Sequence, residues 1–178
     1  MADFIYNQKK IPRKQWRYGL RSSASVGCGW IATHNVLHLL GYEENIEDLI
    51  SYYEHQLPLI HGNLGTSFWA PAFCFRHWGF PADLVFDRRK FDAAARNAPA
   101  SVLFYHWRKG AKLGAHFVAV RYNGSQFIGF NTFRTSHGPD PLGDSLEAFL
   151  KQKHYFGAVL IPVGHRAQEP SFGSLHKK

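Results

Sequence analysis

Cysteine is scarce in this sequence, and its scarcity excludes one class of fold. Only Cys28 and Cys74 occur among 178 residues. Two thiols cannot form the set of bridges that holds a small secreted domain together, so a disulfide framework is excluded. Cys74 lies between Phe73 and Phe75, an apolar setting that predicts a buried free thiol.

Long apolar runs are absent as well. No segment approaches the roughly 18 apolar residues that a membrane-spanning helix needs. Residues 1–17 contain charges but no apolar stretch followed by a small-residue cleavage site, so we recognise no secretory signal. We therefore expect a cytoplasmic protein without a membrane partner, while export without a cleaved signal stays open.

Acidic residues are few compared with basic ones. The chain has 13 Asp and Glu against 21 Lys and Arg, a formal net charge of +8. Such an excess can attract an acidic partner, including nucleic acid. The basic residues are scattered and no recognition motif accompanies them, so we do not expect nucleic acid as a partner. No glycine-rich phosphate loop occurs, and no cofactor is predicted. The oligomeric state is left open.

Aromatic residues, in contrast, are plentiful. Phe, Tyr and Trp make up 16% of the chain, and large rings supply burial that offsets the entropy lost on folding. The length suits one domain with a substantial core. We predict a single domain over residues 1–165, followed by a flexible tail over residues 166–178.

The order of the predicted elements indicates an α+β fold. Helices come early in the chain and antiparallel strands late, which is typical of that class. Apolar periodicity and capping residues predict helices over 28–40, 46–56, 67–78, 91–96 and 144–152. Alternation predicts strands over 101–107, 115–122, 125–132 and 155–163, and residues 4–6 could pair as an edge strand.

One hairpin brings two polar side chains together. Asn123-Gly124 joins two predicted strands and is a strong hairpin signal. If these two residues form the whole loop, His116 faces Asn131, with Cβ atoms about 4.5–5.5 Å apart. The Asn131 carboxamide would then hold one imidazole nitrogen and leave the other free. The alternative is an inert polar pair at a sheet edge.

Cys28 is predicted to lie at the start of a helix. The free N–H groups and positive dipole end of a helix favour thiolate over thiol, so we expect a lowered pKa. Gly27 and Gly29 would leave room for a substrate backbone. The Cys28 N–H could donate to an oxyanion. The alternative is a small residue that packs the start of a core helix.

These segments resemble the motifs of papain-like cysteine peptidases. Gly27-Cys28-Gly29-Trp30 is similar to the nucleophile motif, and its Cys-Gly pair to that of the bacterial branch that trims double-glycine leader peptides. The segment 114–120 resembles the strand of the catalytic base, and 131–133 the Asn-Ser-Trp segment. The resemblance implies a papain-like fold in which a helix carrying Cys28 packs on an antiparallel sheet carrying His116 and Asn131. It implies these three as the catalytic residues, with a substrate cleft formed by Gly27, Gly29, Trp30, Ala115 and Phe133.

The chain departs from the family at the oxyanion hole. The family carries a glutamine about six residues before the cysteine, and that position is Ser22 here. The nearest upstream glutamine is Gln15. Ser22, Gln15 or the Cys28 backbone N–H is therefore expected to stabilise the oxyanion, and without a substitute we expect slow turnover.

The predicted function is cysteine-dependent hydrolysis of an amide bond in a peptide or protein, through a thioester. Deamidation and acyl transfer share these steps and stay open. The main alternative is a catalytically weak papain-like binding module whose basic surface binds an acidic protein or nucleic acid. His34 and His38 have a spacing that can bind metal, but no third ligand is evident from the sequence, so no metal site is predicted.

Overall fold

The computed structural model describes residues 4–55 and 66–166. It contains six helices and seven strands within those ranges. The helices are α1 (Ser23–Val26), α2 (Cys28–Leu39), α3 (Ile46–His55), α4 (Ala70–His77), α5 (Phe91–Asn97) and α6 (Leu146–Gln152). The strands are β1 (Arg17–Tyr18), β2 (Arg21–Ser22), β3 (Ala100–Lys109), β4 (Lys112–Tyr122), β5 (Phe127–Phe130), β6 (Asp140–Gly143) and β7 (Tyr155–Val163). None of the helices in the described ranges is long and apolar enough to cross a membrane.

Five of the strands form one antiparallel sheet in the order β6-β5-β4-β3-β7. The two remaining strands, β1 and β2, form a small separate hairpin. The predicted α+β class is confirmed, because the helices up to α5 precede the sheet in the chain and the strands are antiparallel. Of the tail, residues 167–178 lie outside the described residues.

The large sheet is covered on both faces, as the alternation of its apolar residues requires. Val102 and Phe104 of β3 lie on one face and belong to a buried cluster with residues of α2 and α4. Leu103 and Tyr105 lie on the other face, in a cluster with residues of α5 and α6. The sheet therefore forms the middle layer of the domain.

Helix α2 is the element that carries Cys28, and its bounds agree with the prediction to within one residue. It is almost entirely buried, because its neighbours cover it all round. It ends where Gly41 adopts a φ of +82°, a left-handed conformation that glycine reaches without steric cost. The Asn35 side chain of α2 also holds the N-terminal segment, accepting from Ile5 N and donating to Ile5 O, both at 2.9 Å.

Several of the predicted elements differ from the structure in their bounds, and one is absent from the described residues. Helix α4 begins at Ala70, three residues later than expected, with Pro71 in its first turn, where proline is tolerated. The predicted edge strand over residues 4–6 is wrong, because this segment bonds to the Asn35 side chain instead of a neighbouring strand.

The loop of the β4–β5 hairpin is longer than predicted. Tyr122 pairs with Phe127 and Ala119 with Phe130, so four residues form the loop. Asn123 organises it, because its side-chain oxygen accepts from the backbone N–H groups of Ser125 and Gln126. The two-residue loop, and the register that opposed His116 to Asn131, are therefore wrong.

Candidate active site

Cys28 is the first residue of α2, as predicted, and its side chain is half-buried. The backbone N–H groups of Phe117, Cys28 and Gly29 favour negative charge on its sulfur and so act to lower its pKa. Burial nevertheless outweighs these contacts and raises the pKa of the thiol. The expected lowering of this pKa is therefore wrong, because desolvation exceeds the effect of the helix terminus. At neutral pH the unliganded protein carries a Cys28 thiol.

His116 lies on β4, immediately before Phe117, whose backbone N–H favours negative charge on the Cys28 sulfur. Its Nε2 donates to the backbone carbonyl of Asn131 over 2.6 Å. A carbonyl oxygen can only accept, so this contact fixes the proton on Nε2 and leaves the Nδ1 lone pair free to take a proton. Burial, together with the smaller effects of the cations Lys153, Lys9 and Arg134, lowers the pKa of His116 to about 4, although the bond to the Asn131 carbonyl acts in the opposite direction. The imidazole is therefore neutral at pH 7.

Asn131 contacts His116 through its backbone and not through the carboxamide that the hairpin register had suggested. Strand β5 has already ended, and Asn131 adopts a φ of 62°, a left-handed conformation that asparagine tolerates better than most residues. This turn directs its carbonyl to His116. Its carboxamide instead forms two bonds to Gln8: Oδ1 accepts from Gln8 N at 2.9 Å, and Nδ2 donates to Gln8 Oε1 at 3.0 Å.

Gln8 is the site residue that the sequence reasoning missed. It is buried, in a 3₁₀ turn over Gln8–Lys10, and the Asn131 carboxamide holds it in place. Its Nε2 forms only a long bond to the Ala24 carbonyl, at 3.4 Å. This amide is thus available as a donor. Gln8 lies twenty positions before Cys28 in the printed sequence, with the β1–β2 hairpin between them, so the family's six-residue spacing could not indicate it.

A cavity of about 450 Å³ opens beside His116. Its walls come from the N-terminal segment, the ends of β3 and β4, the turn after β5, and the end of α6. Its lining residues are Asn7, Gln8, Lys9, Ser25, Tyr105, Trp107, Lys109, Ala115, His116, Asn131, Thr132, Phe133, Arg134, Gln152, Lys153 and His154. Cys28 is not among these lining residues.

This architecture is similar to that of a solved peptidase domain. The peptidase domain of Streptococcus ComA, a bi-functional ABC transporter involved in quorum sensing, matches with a TM-score of 0.52 at 17% identity, over 80% of this chain and 93% of that one. The fold is papain-like. A double-glycine-motif protease from an AMS/PCAT transporter, in complex with a leader peptide, matches with a TM-score of 0.48 at 15% identity, over 88% of this chain and 94% of that one. No family model and no curated protein matches the sequence.

The remaining residues predicted for the papain-like cleft divide into two groups. Ala115 and Phe133 line the cavity. Gly27, Gly29 and Trp30 do not, because they are buried against the protein itself. A Cβ on Gly27 would meet Trp30 Nε1 at 2.6 Å, and one on Gly29 would meet Thr66 Oγ1 at 2.6 Å. Close packing therefore accounts for both glycines.

The two side chains expected to stabilise the oxyanion also lie outside the cavity. The Ser22 hydroxyl is 3.3 Å from the Ser25 hydroxyl, and of these two serines only Ser25 lines the cavity. Gln15 is exposed and lines a separate depression of about 300 Å³, together with residues of the N-terminal segment. Gln8, in contrast, lines the cavity.

One cluster in the described part of the chain has side chains that could ligate a metal. His34 and His38 of α2 are joined by Glu44 from the following loop, and their ligand atoms lie within 4.8 Å of one another. The Glu44 carboxylate already hydrogen-bonds His34 Nδ1, and the two imidazole rings lie 4.4 Å apart. Because that hydrogen bond accounts for the buried His34, the cluster is explained as a structural contact. Glu44 could not be recognised from the sequence as a member of this cluster, because it lies outside the helix that carries the two histidines.

Proposed function

We propose that the protein is a cysteine-dependent hydrolase that cleaves an amide bond in a peptide or protein. Cys28 is the nucleophile, His116 the base and Asn131 the residue that positions the base. The observation that carries this proposal is the 2.6 Å bond from His116 Nε2 to the Asn131 carbonyl. It reserves Nδ1 for a thiol proton, and the next residue along β4, Phe117, has a backbone N–H that favours negative charge on the Cys28 sulfur.

The reaction starts from the neutral pair. As Cys28 Sγ attacks the substrate carbonyl carbon, its proton passes to His116 Nδ1, so no thiolate accumulates beforehand. The tetrahedral intermediate collapses when Nδ1 returns the proton to the leaving amine, and a thioester remains. Water then attacks the thioester carbon while His116 Nδ1 takes its proton, the C–S bond breaks to release the acid product, and Nδ1 returns the proton to the Cys28 sulfur.

Negative charge develops on the substrate oxygen during both steps. The Cys28 N–H and the Gln8 amide are the donors we assign to it. Asn131 has a double part in this arrangement, because its carbonyl fixes the base while its carboxamide fixes Gln8. Oxyanion donors of this kind contribute about 10²–10³ in rate when they are held rigidly.

The test compares two single variants. The wild type, Cys28→Ala and Cys74→Ala are incubated with a proteome-derived peptide library, and new termini are identified by mass spectrometry. We expect cleavage by the wild type and by Cys74→Ala, and none by Cys28→Ala. Product masses separate hydrolysis from deamidation and transfer. Cleavage that persists in Cys28→Ala, in protein whose circular dichroism matches the wild type, would refute the assignment.

A second candidate function is favoured by the neutral Cys28–His116 pair and the positive surroundings of the cavity. In this alternative the protein binds an acidic protein segment, and its rate of amide cleavage is negligible. It predicts that the wild type and Cys28→Ala bind the same ligands with equal affinity while neither produces new termini.

A further inference from the structure

The cavity beside His116 is positively charged, and the described residues that line it include no acidic side chain. Lys9, Lys109, Arg134 and Lys153 contribute four cations, and neither Asp nor Glu is among the lining residues. A concave surface with charge of one sign focuses its field and concentrates ligands of the opposite sign. The net charge of the whole chain is +8, but here the positive charge is gathered at the candidate active site.

The carboxylates of the described residues neutralise little of the charge on these four cations. Within the described residues, none of the four forms an ion pair with a carboxylate within 4 Å. Lys9 Nζ donates to the Ala24 carbonyl at 2.7 Å, and Lys153 Nζ lies 3.7 Å above the Phe133 ring. Asp140 is the acidic residue that interacts with Lys153, and its carboxylate is also engaged with Ser136 Oγ. The charge is thus held in place by carbonyl and aromatic contacts and stays available to a ligand.

Three of the cations act on the reacting groups. Lys153, Lys9 and Arg134 each lower the pKa of His116, and Lys9 also lowers that of Cys28. Any ligand that occupies the cavity therefore lies within the electrostatic reach of both. Trp107, Tyr105 and Phe133 add aromatic surface to the lining of the same cavity. The cavity therefore suits a peptide that carries both acidic and apolar side chains.

We propose that the cavity binds a carboxylate-bearing peptide segment, whose acidic groups pair with Lys9, Lys109, Arg134 and Lys153 next to the scissile amide. This inference rests on the proposed function and names its substrate class. The carboxylates can come from Asp and Glu side chains or from a free C-terminus. Binding of such a segment also neutralises the cations that oppose protonation of His116, so the substrate itself makes the imidazole a better base.

The experiment compares three decapeptide libraries that are identical except for fixed Glu, Gln or Lys at four positions. Each is prepared with a free and an amidated C-terminus. Cleavage is followed by mass spectrometry at low salt and in about 0.5 M NaCl, where exposed charges are strongly screened. We expect Glu peptides to be cleaved about tenfold or more faster than Gln peptides, and Lys peptides slowest. The difference should shrink in high salt. A preference that follows the free C-terminus alone would assign the charge to the terminal carboxylate.

The hairpin end of β3 and β4 offers a matched control. Lys109 and Lys112 pair across the two strands, but only Lys109 lines the cavity. Lys109→Gln, alone and combined with Arg134→Gln, should reduce the ratio of the cleavage rate of Glu peptides to that of Gln peptides. Lys112→Gln should preserve the preference.

Binding to Cys28→Ala separates the failure of this inference from the failure of the proposed function. Isothermal titration with acetylated, amidated (Glu-Gly)₄ and (Gln-Gly)₄ peptides should give tighter binding of the Glu peptide. Cys28-dependent cleavage without a charge preference overturns the inference and leaves the function standing. Tight binding of the Glu peptide with no cleavage of any library overturns the function, and equal weak binding of both peptides with no cleavage overturns both.

Discussion

Cys28 and Cys74 lie on two helices that pack together, α2 and α4, and burial raises the pKa of both thiols. Their surroundings differ. Cys28 begins α2, where three backbone N–H groups favour negative charge on its sulfur, whereas Cys74 lies inside α4 in an apolar cluster with Tyr53. Burial alone therefore does not separate a nucleophile from a core residue. What separates them is a base to take the proton and donors to stabilise the charge that follows.

The largest difference we expect between the two cysteines is their rate of alkylation. Cys74 is fully buried in the core, so it should react with iodoacetamide only when the domain opens, which slows it by about 10³-fold or more relative to an open thiol. Cys28 is half-buried and should react first. Mass spectrometry of the labelled peptides over time gives both rates.

The pH dependence of the Cys28 rate sharpens this prediction. Because burial raises the pKa of the thiol, labelling at pH 6 should be slower than that of a small free thiol, and should rise about tenfold for each pH unit up to pH 8. Fast labelling at pH 6 would instead indicate a preformed thiolate–imidazolium pair and would contradict the neutral resting state.

The oxyanion donors give the next largest effect. Gln8→Ala removes the amide that Asn131 holds and should lower kcat by about 10²–10³ with a small change in KM. Gln15→Ala is the matched control, because Gln15 lies in a different depression, and its kcat should equal that of the wild type. Equal activity of both variants would remove Gln8 from the mechanism.

The sequence predicted Cys28 and His116 more securely than the geometry around them. Cys28 was found from local signals, because α2 begins and ends through its own apolar pattern and Gly41. Asn131 was found through a hairpin register that proved wrong, since Asn123 caps a four-residue loop. Asn131 nevertheless contacts His116, because its backbone carbonyl accepts the hydrogen bond that was expected to involve its carboxamide. Gln8 could not be predicted, because its place depends on tertiary bonds across 123 positions of the chain.

His116 is expected to make stability depend on pH. Its folded pKa of about 4 lies below the usual 6.5, so the unfolded chain binds the proton more readily between these values. Stability should thus be full above pH 6.5 and fall by about 3 kcal/mol as the pH drops to 4. Urea unfolding at several pH values measures this. In His116→Gln the contribution should disappear, and an unchanged pH profile in that variant would show that the imidazole is not desolvated.

The smallest expected effects compare conservative changes at the two cysteines. Cys74→Ser places a hydroxyl in a fully buried apolar cluster and should lower the free energy of unfolding by about 1–3 kcal/mol, less if the hydroxyl bonds back to its own helix. Cys28→Ser retains an acceptor beside three N–H groups at a half-buried position and should cost less than about 0.5 kcal/mol. Urea midpoints at pH 7 give both values. If Cys28→Ser were the more destabilising change, Cys28 would occupy a packed core position. The proposed distinction between a reactive Cys28 and a structural Cys74 would then be contradicted by the free energies of unfolding alone.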